Sequence, residues 1–278
     1  MRPLRGPRYN SLFGVDLLPA VGYGMEVAVR HTRPPRSYER ADDAIQVEVV
    51  SKPGGGSREL THLGDRDRRH YDAVVTAVTP SIERALAPSA VANRARVTGK
   101  RLELEPWRLA RRRYVHAVRA STSGPGRAAF VGDVRDCYGS MTPATVVRAL
   151  HLVGAAPDSI ERLATLLKSF ESRGVRGLPI GPCPSAVLAN AILAPVDDAL
   201  REVAGGPAFR WVDDVVAFTP NLAAARRTAH AFDQALSGLG LSANEAKSHV
   251  VDDPIAVLAG VSKTSISPAS RHGMMRAP

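Results

Sequence analysis

The chain has 278 residues, 44% of them apolar and 23% charged, and its 37 Lys and Arg against 27 Asp and Glu give a formal charge of +10. That length allows one large domain or two small ones around a real core, and that balance excludes a disordered or membrane-embedded chain. The charge is unevenly spread: residues 1–130 carry 23 Lys and Arg against 13 Asp and Glu, whereas residues 131–278 carry 14 of each.

An excess confined to the first half fits either a polyanion partner or ordinary solvated surface. Two cysteines, Cys137 and Cys183, make no disulfide framework and lack metal-ligand spacing. The longest uncharged run, 178–196, is broken by Pro179, Pro182, Pro184 and Pro195, so no membrane span is expected. Asp16 and Pro19 interrupt the apolar stretch near the N-terminus, which argues against a signal peptide. A cytoplasmic protein is the expectation.

In chain order, residues 1–40 are rich in Pro, Gly and Arg without a period and read as an irregular arm. Residues 45–50 alternate apolar and polar, and 58–63 resume after Pro53-Gly54-Gly55-Gly56, which predicts a hairpin with a glycine tip. Tyr71, Val74, Val75, Val78, Ile82 and Leu86 have helical spacing, with Pro80 expected to split the segment in two. Pro106 can open a helix in the basic stretch 94–119, where Trp107 and Tyr114 lie among arginines. A short buried strand from Ala128 to Val131 leads to Asp133.

Amphipathic helices are expected over 158–170 and 221–237, and another helix near 185–203. Two β-prone runs, 209–212 and 215–218, flank Asp213-Asp214 as a hairpin with acids at its tip. Strands near 248–251 and 255–261 complete a mixed α+β order.

Asp133, Asp213 and Asp214 stand out because each borders an apolar strand, where a carboxylate is costly to ionise without compensating cations. Brought together, such acids could hold two divalent ions ~3.5–4 Å apart, the clamp used for in-line phosphoryl transfer. Hard oxygen ligands favour Mg2+, with Mn2+ as the alternative. Taken singly, each acid reads as well as a turn or helix cap.

Four segments follow in order: Phe130-Val-Gly-Asp133-Val-Arg-Asp136-Cys-Tyr138, Gly177-Leu-Pro-Ile-Gly181 leading to Ser185 and Asn190, Trp211-Val-Asp213-Asp214, and Asn244-Glu-Ala-Lys247. They resemble palm motifs A, B, C and D of the reverse transcriptase superfamily, and 51–58, with Lys52 and Arg58, looks like its fingers hairpin. Ile180, where many members have Gln, makes the chain most similar to the abortive-infection and other defence-associated bacterial enzymes. The resemblance implies right-hand fingers and palm, with the palm's antiparallel sheet packed on helices and the thumb absent or vestigial. Its divisions would be a basic N-terminal arm (1–40), fingers (41–127), a palm with motifs A to E (128–262) and a short tail (263–278).

The roles it implies follow residue by residue. Asp133, Asp213, Asp214 and Lys247 would be catalytic, with Asp133, Asp213, Asp214 and the Val134 carbonyl on metal. Lys52, Arg58, Val134, Arg135, Asp136, Cys137, Tyr138, Pro179, Ile180 and Gly181 would surround the nucleotide, Tyr138 excluding a ribose 2′-hydroxyl. Ser185, Asn190, Arg108, Arg111, Arg112 and Trp211 would meet nucleic acid. Only 5 of the 37 basic residues are lysines, and two of them are Lys52 and Lys247, which suits a proton donor because arginine does not readily give up its proton. Expected partners are an RNA template, a DNA primer or product, dNTPs, and a partner protein or second copy in place of the thumb. RNA-templated DNA synthesis, antiphage defence, untemplated or protein-primed synthesis by the same site, and a non-catalytic RNA-binding scaffold all stay open at this point.

Overall fold

The structure is a computed structural model that describes residues 45–51, 57–123 and 127–263. The expected arm over 1–40, the hairpin tip at 52–56 with Lys52, and the tail past residue 263 lie outside the described residues. The fold is α+β. Its elements run β1 (Gln46–Ser51), β2 (Ser57–His62), α1 (Asp65–Ala85), β3 (Ala95–Thr98), β4 (Arg101–Leu104), α2 (Trp107–Ser121) and β5 (Ala128–Asp133). They continue with α3 (Cys137–Ser140), α4 (Pro143–Leu152), α5 (Pro157–Ser172), α6 (Cys183–Val203), β6 (Ala208–Trp211), β7 (Asp214–Thr219), α7 (Leu222–Gly238), β8 (His249–Val251) and α8 (Ile255–Lys263). Among the described residues no helix is long and apolar enough to cross a membrane.

The central sheet has the order β6-β7-β5-β8, every pair antiparallel. Helix α7 packs on β5, β7 and β8, and α6 packs on α7 and β6, with α1 outside α6. Gly132 makes the close fit of α7 possible. A Cβ there would lie 2.9 Å from the Phe130 ring and 3.0 Å from the ring of Phe232, whose centroids are 5.3 Å apart. Helix α6 is buried almost continuously from Pro184 to Leu193, which explains its small residues: Ala186, Ala189 and Ala191 let neighbours approach on several sides.

Two expectations need correction, and one hairpin was not expected. Pro80 does not split α1, which runs unbroken over Asp65–Ala85. Its buried face of Tyr71, Val74, Val75, Val78, Thr79 and Ile82 continues past Pro80, which points to solvent. Packing on both sides of the proline outweighs its missing hydrogen bond. The segment 255–261 is helix, not strand. Asp253 Oδ1 accepts the Ile255 N–H at 2.9 Å, Pro254 opens the turn, and Val257 and Val261 fall on one buried face. Finally, the hairpin β3–β4 escapes the sequence reading because charged residues dilute its four-residue strands; it turns at Gly99, whose φ is 63°.

Pro80→Ala should raise stability by about 1–2 kcal/mol, since it restores a helical hydrogen bond at a solvent-facing position and gives back only part of that in unfolded-chain entropy. Chemical-denaturation midpoints of the two proteins check this.

Candidate active site

The register of β5 against β7 sets Asp133 opposite Asp214. Asp213 lies one residue earlier, in the tip between β6 and β7, and its carbonyl accepts the Val134 N–H at 3.2 Å. Three carboxylates therefore share one end of the sheet. Asp133 is only 5% exposed. Its Oδ1 accepts from Asn244 Nδ2 at 2.8 Å and its Oδ2 from Lys247 Nζ at 2.9 Å. The backbone joins in: Asn244 N–H donates to the Asp133 carbonyl at 2.8 Å, Arg135 N–H to the Ser242 carbonyl at 2.9 Å, and Asp133 N–H to Ser248 Oγ at 3.2 Å. Residues 242–248 thus wrap the end of β5.

The electrostatics follow from this crowding. Burial and the neighbouring Asp133 charge push Asp213 up to about 6, against the smaller downward pulls of its backbone hydrogen bond, Arg58 and Lys247. Loss of hydration and the charges of Asp213 and Asp133 push Asp214 up as well. Since Asp214 heads β7 with surface in solvent, crowding by its neighbours is the cause that matters most there. For Lys247, burial favours the neutral amine, but the hydrogen bond to Asp133 and the three acids outweigh it and raise its pKa. Burial pushes the Cys137 thiol well up, so it stays protonated rather than acting as a nucleophile.

The tip itself is held from beneath. Val212 has a φ of 60°, a left-handed conformation that a β-branched side chain adopts at a cost of about 1–3 kcal/mol. Its carbonyl accepts from Arg210 Nη1 at 3.0 Å. Arg210 and Asp197 form a bidentate pair at 2.8 and 2.7 Å, both side chains 2% exposed. Arg210 Nη1 also donates to Asn190 Oδ1 at 2.9 Å, and Asn190 Nδ2 donates to the Ala92 and Asn93 carbonyls at 3.0 and 3.2 Å.

On the expected nucleotide side, Arg58 of β2 acts on the Asp213 charge, and among the described residues its buried Nη1 has no hydrogen-bond partner. Thr61 N–H donates to the Ile180 carbonyl at 2.8 Å, which docks the first hairpin on the loop at 177–181. That loop in turn seats on α3: Leu178 N–H donates to the Tyr138 carbonyl at 2.9 Å. Gly177, at φ 67°, leaves no room for a side chain, because a Cβ would lie 2.2 Å from that same carbonyl. Tyr138, Cys137 and Pro179 are buried, Ile180 and Gly181 partly so, and Val134 lies under the tip. Arg135 and Asp136 are exposed, Asp136 pairing with Arg176 at 2.6 Å.

Of the six residues expected on nucleic acid, Arg108 and Arg112 are exposed, on α2. The other four turn inward. Ser185 is 0% exposed and shares a hydrogen bond with Tyr71 Oη at 3.0 Å; Asn190, 1% exposed, is spent on the network above. Trp211 is buried 5.4 Å from the Tyr114 ring, and the Arg111 guanidinium lies 5.0 Å from its centroid and donates to the Val261 carbonyl at 2.8 Å. Sequence reasoning gave no role to Arg210 or Asp197, although a charge inside each apolar run hints at a buried pair. Asn244 and Ser248 carried no such hint.

Among the described residues no ready-made cage of three His, Cys, Asp or Glu side chains is present. What is present is a facing carboxylate pair with a third alongside, all hard oxygen donors, two of them with raised pKa values. Such a donor set fits a magnesium-class ion, provided that Lys247, its side chain 64% exposed, yields the Asp133 oxygen it now holds.

An acid whose pKa is higher folded than unfolded binds more protons in the folded state, so stability falls as pH rises through that interval. For Asp213 the interval runs from 3.8 to about 6. In metal-free buffer, Asp213→Asn should therefore be more stable than the wild type at pH 7, on the order of 1–3 kcal/mol, with the advantage shrinking as pH falls toward 4. Melting curves of both proteins across that range read it.

No protein-family model matches the chain, and no curated protein matches it. Among solved structures it is similar to telomerase from Candida albicans in a complex with a TWJ fragment of telomeric RNA, at 12% identity and a TM-score of 0.51. The match covers 78% of this chain and 43% of that one, so the chain spans less than half the length of that telomerase. At this identity the likeness is one of fold.

Proposed function

We propose that the chain is a metal-dependent DNA polymerase of the reverse transcriptase type, adding dNTPs to a 3′ end on an RNA template. The observation that carries this reading is the facing of Asp133 and Asp214, with Asp213 beside them and Arg58, whose buried Nη1 has no partner among the described residues, acting on Asp213. The fold likeness to a telomerase, itself in a complex with telomeric RNA, supports it. In this reading 41–127 are fingers and 128–262 a palm, and the motif resemblance points to bacterial antiphage defence as the setting.

Asp133, Asp213, Asp214 and the Val134 carbonyl would hold Mg2+ or Mn2+, which when bound neutralises charge on the attacking and leaving oxygens. The chain's own residues do the rest. Arg58 offers its buried donors to triphosphate oxygens, the geometry guanidinium serves best. Lys247 leaves Asp133 and gives a proton to the departing pyrophosphate. Tyr138, five residues past Asp133 and braced by the loop at 177–181, excludes a 2′-hydroxyl. Arg108 and Arg112 neutralise backbone phosphates from the exposed face of α2. A second reading, untemplated or protein-primed synthesis by the same acids, is favoured by Ile180, whose side chain offers no polar group to a templating base.

Purified protein with Mg2+ or Mn2+ and labelled dNTPs should incorporate label on an RNA template with a DNA primer. Label on the protein itself, or product without template, would select the second reading; RNA binding without any incorporation would leave a scaffold. Asp213→Asn with Asp214→Asn should abolish incorporation, and a fully active double variant would remove the site assignment. Arg58→Ala should raise KM for dNTPs about tenfold or more, the loss expected of a hydrogen bond to a charged group. Tyr138→Ala should admit NTPs more readily, as read from the ratio of kcat/KM for dNTP and NTP.

A further inference from the structure

We infer that the buried Arg210–Asp197 pair is a positioning device for the acids, acting through the carbonyl of Val212. The inference rests on the polymerase reading for what the acids do, and on geometry alone for what holds them. A fully buried ion pair is weak support for stability, since its desolvation cost rivals its attraction. The placing of this one matters more than its strength.

The guanidinium spreads its donors over two elements that must keep a fixed relation. Nε and Nη2 bind Asp197 on α6; Nη1 binds Asn190 on α6 and the Val212 carbonyl in the tip. The Arg210 backbone adds a third partner, its N–H donating to the Ser89 carbonyl at 2.8 Å and its carbonyl accepting the Val91 N–H at 3.1 Å. Arg210 is thus the joint between helix α6, the segment at 89–93 and the acid-bearing hairpin. The tip needs such a joint, because Val212 sits at a φ of 60° and its neighbour Asp213 closes on Val134 through a single backbone hydrogen bond. Movement of the Val212 carbonyl would displace Asp213, the acid that lies outside the β5–β7 ladder, relative to Asp133 and Asp214. A lysine could satisfy Asp197 but not the fork that also reaches Asn190 and Val212.

The test replaces the pair by apolar residues, Arg210→Met with Asp197→Leu, a swap that buried pairs commonly tolerate without loss of stability. The variant should fold but melt lower than the wild type, because the Val212 carbonyl and Asn190 Oδ1 lose their donor; it should lose about 100-fold in kcat with little change in KM for dNTP, and exchange its Val134 amide about tenfold faster or more. A folded variant with wild-type kcat and wild-type exchange overturns the inference. Should the double variant fail to fold, Arg210→Lys keeps a cation beside Asp197 without the fork, and the same readouts apply. If the wild type itself incorporates no nucleotide, the polymerase reading falls, and amide exchange alone decides: faster at Val134 supports positioning, unchanged overturns it.

Discussion

The structure is organised around a repulsion. An antiparallel register places Asp133 across from Asp214, chain connectivity puts Asp213 alongside, and burial together with that proximity raises the pKa values of Asp213 and Asp214. Three acids at one end of an apolar sheet are tolerated only where cations and donors are brought to them. Those donors come from distant parts of the chain: Arg58 from the first hairpin, Asn244 and Lys247 from the loop before β8. The packing of the first hairpin on the loop at 177–181, and of 242–248 around β5, is therefore also the assembly of a counter-charge.

The cations near the acids are of two kinds. Arg210 is buried and each of its guanidinium nitrogens is hydrogen-bonded, so it cannot leave without exposing Asp197 and the Val212 carbonyl. Lys247 reaches Asp133 with most of its side chain in solvent, and Arg58 keeps a buried nitrogen without a partner among the described residues. The first kind fixes geometry, whereas the second can exchange one anion for another. In the proposed reading such a site suits an anionic substrate, which would pair with the Arg58 nitrogen left without a partner among the described residues.

What the sequence disclosed and what it hid divide along range. Alternation gave the first hairpin, and the acid pair between two apolar runs gave β6 and β7, because both patterns are local. The run 255–261 suits strand and helix equally, and only the Asp253-Pro254 start, a capping feature, decides for helix. The burial of Ser185, Asn190 and Trp211 is hidden in the sequence for a related reason. A polar or aromatic side chain reads the same whether it meets a ligand or a partner 114 residues away, as Ser185 meets Tyr71. The Arg210–Asp197 joint and the wrap of 242–248 are tertiary facts with no sequence period behind them.

The uneven charge of the chain acquires a spatial meaning through α2. Several arginines of the first half are matched nearby: Arg94 with Glu83, Arg96 with Glu103, Arg113 with Glu105. On α2, Arg108, Arg112 and Arg119 remain exposed at spacings that place them along one face. The opposite side of the same helix is clamped to the acid-bearing hairpin, with Tyr114 and Arg111 against Trp211, which pairs directly with Asp214 in the sheet. Helix α2 therefore joins a basic surface to the carboxylates through a few rigid contacts. A polyanion lying along the exposed stripe would be held in a constant relation to the acids, as a polymer substrate requires when its end, rather than its length, is where bonds are made.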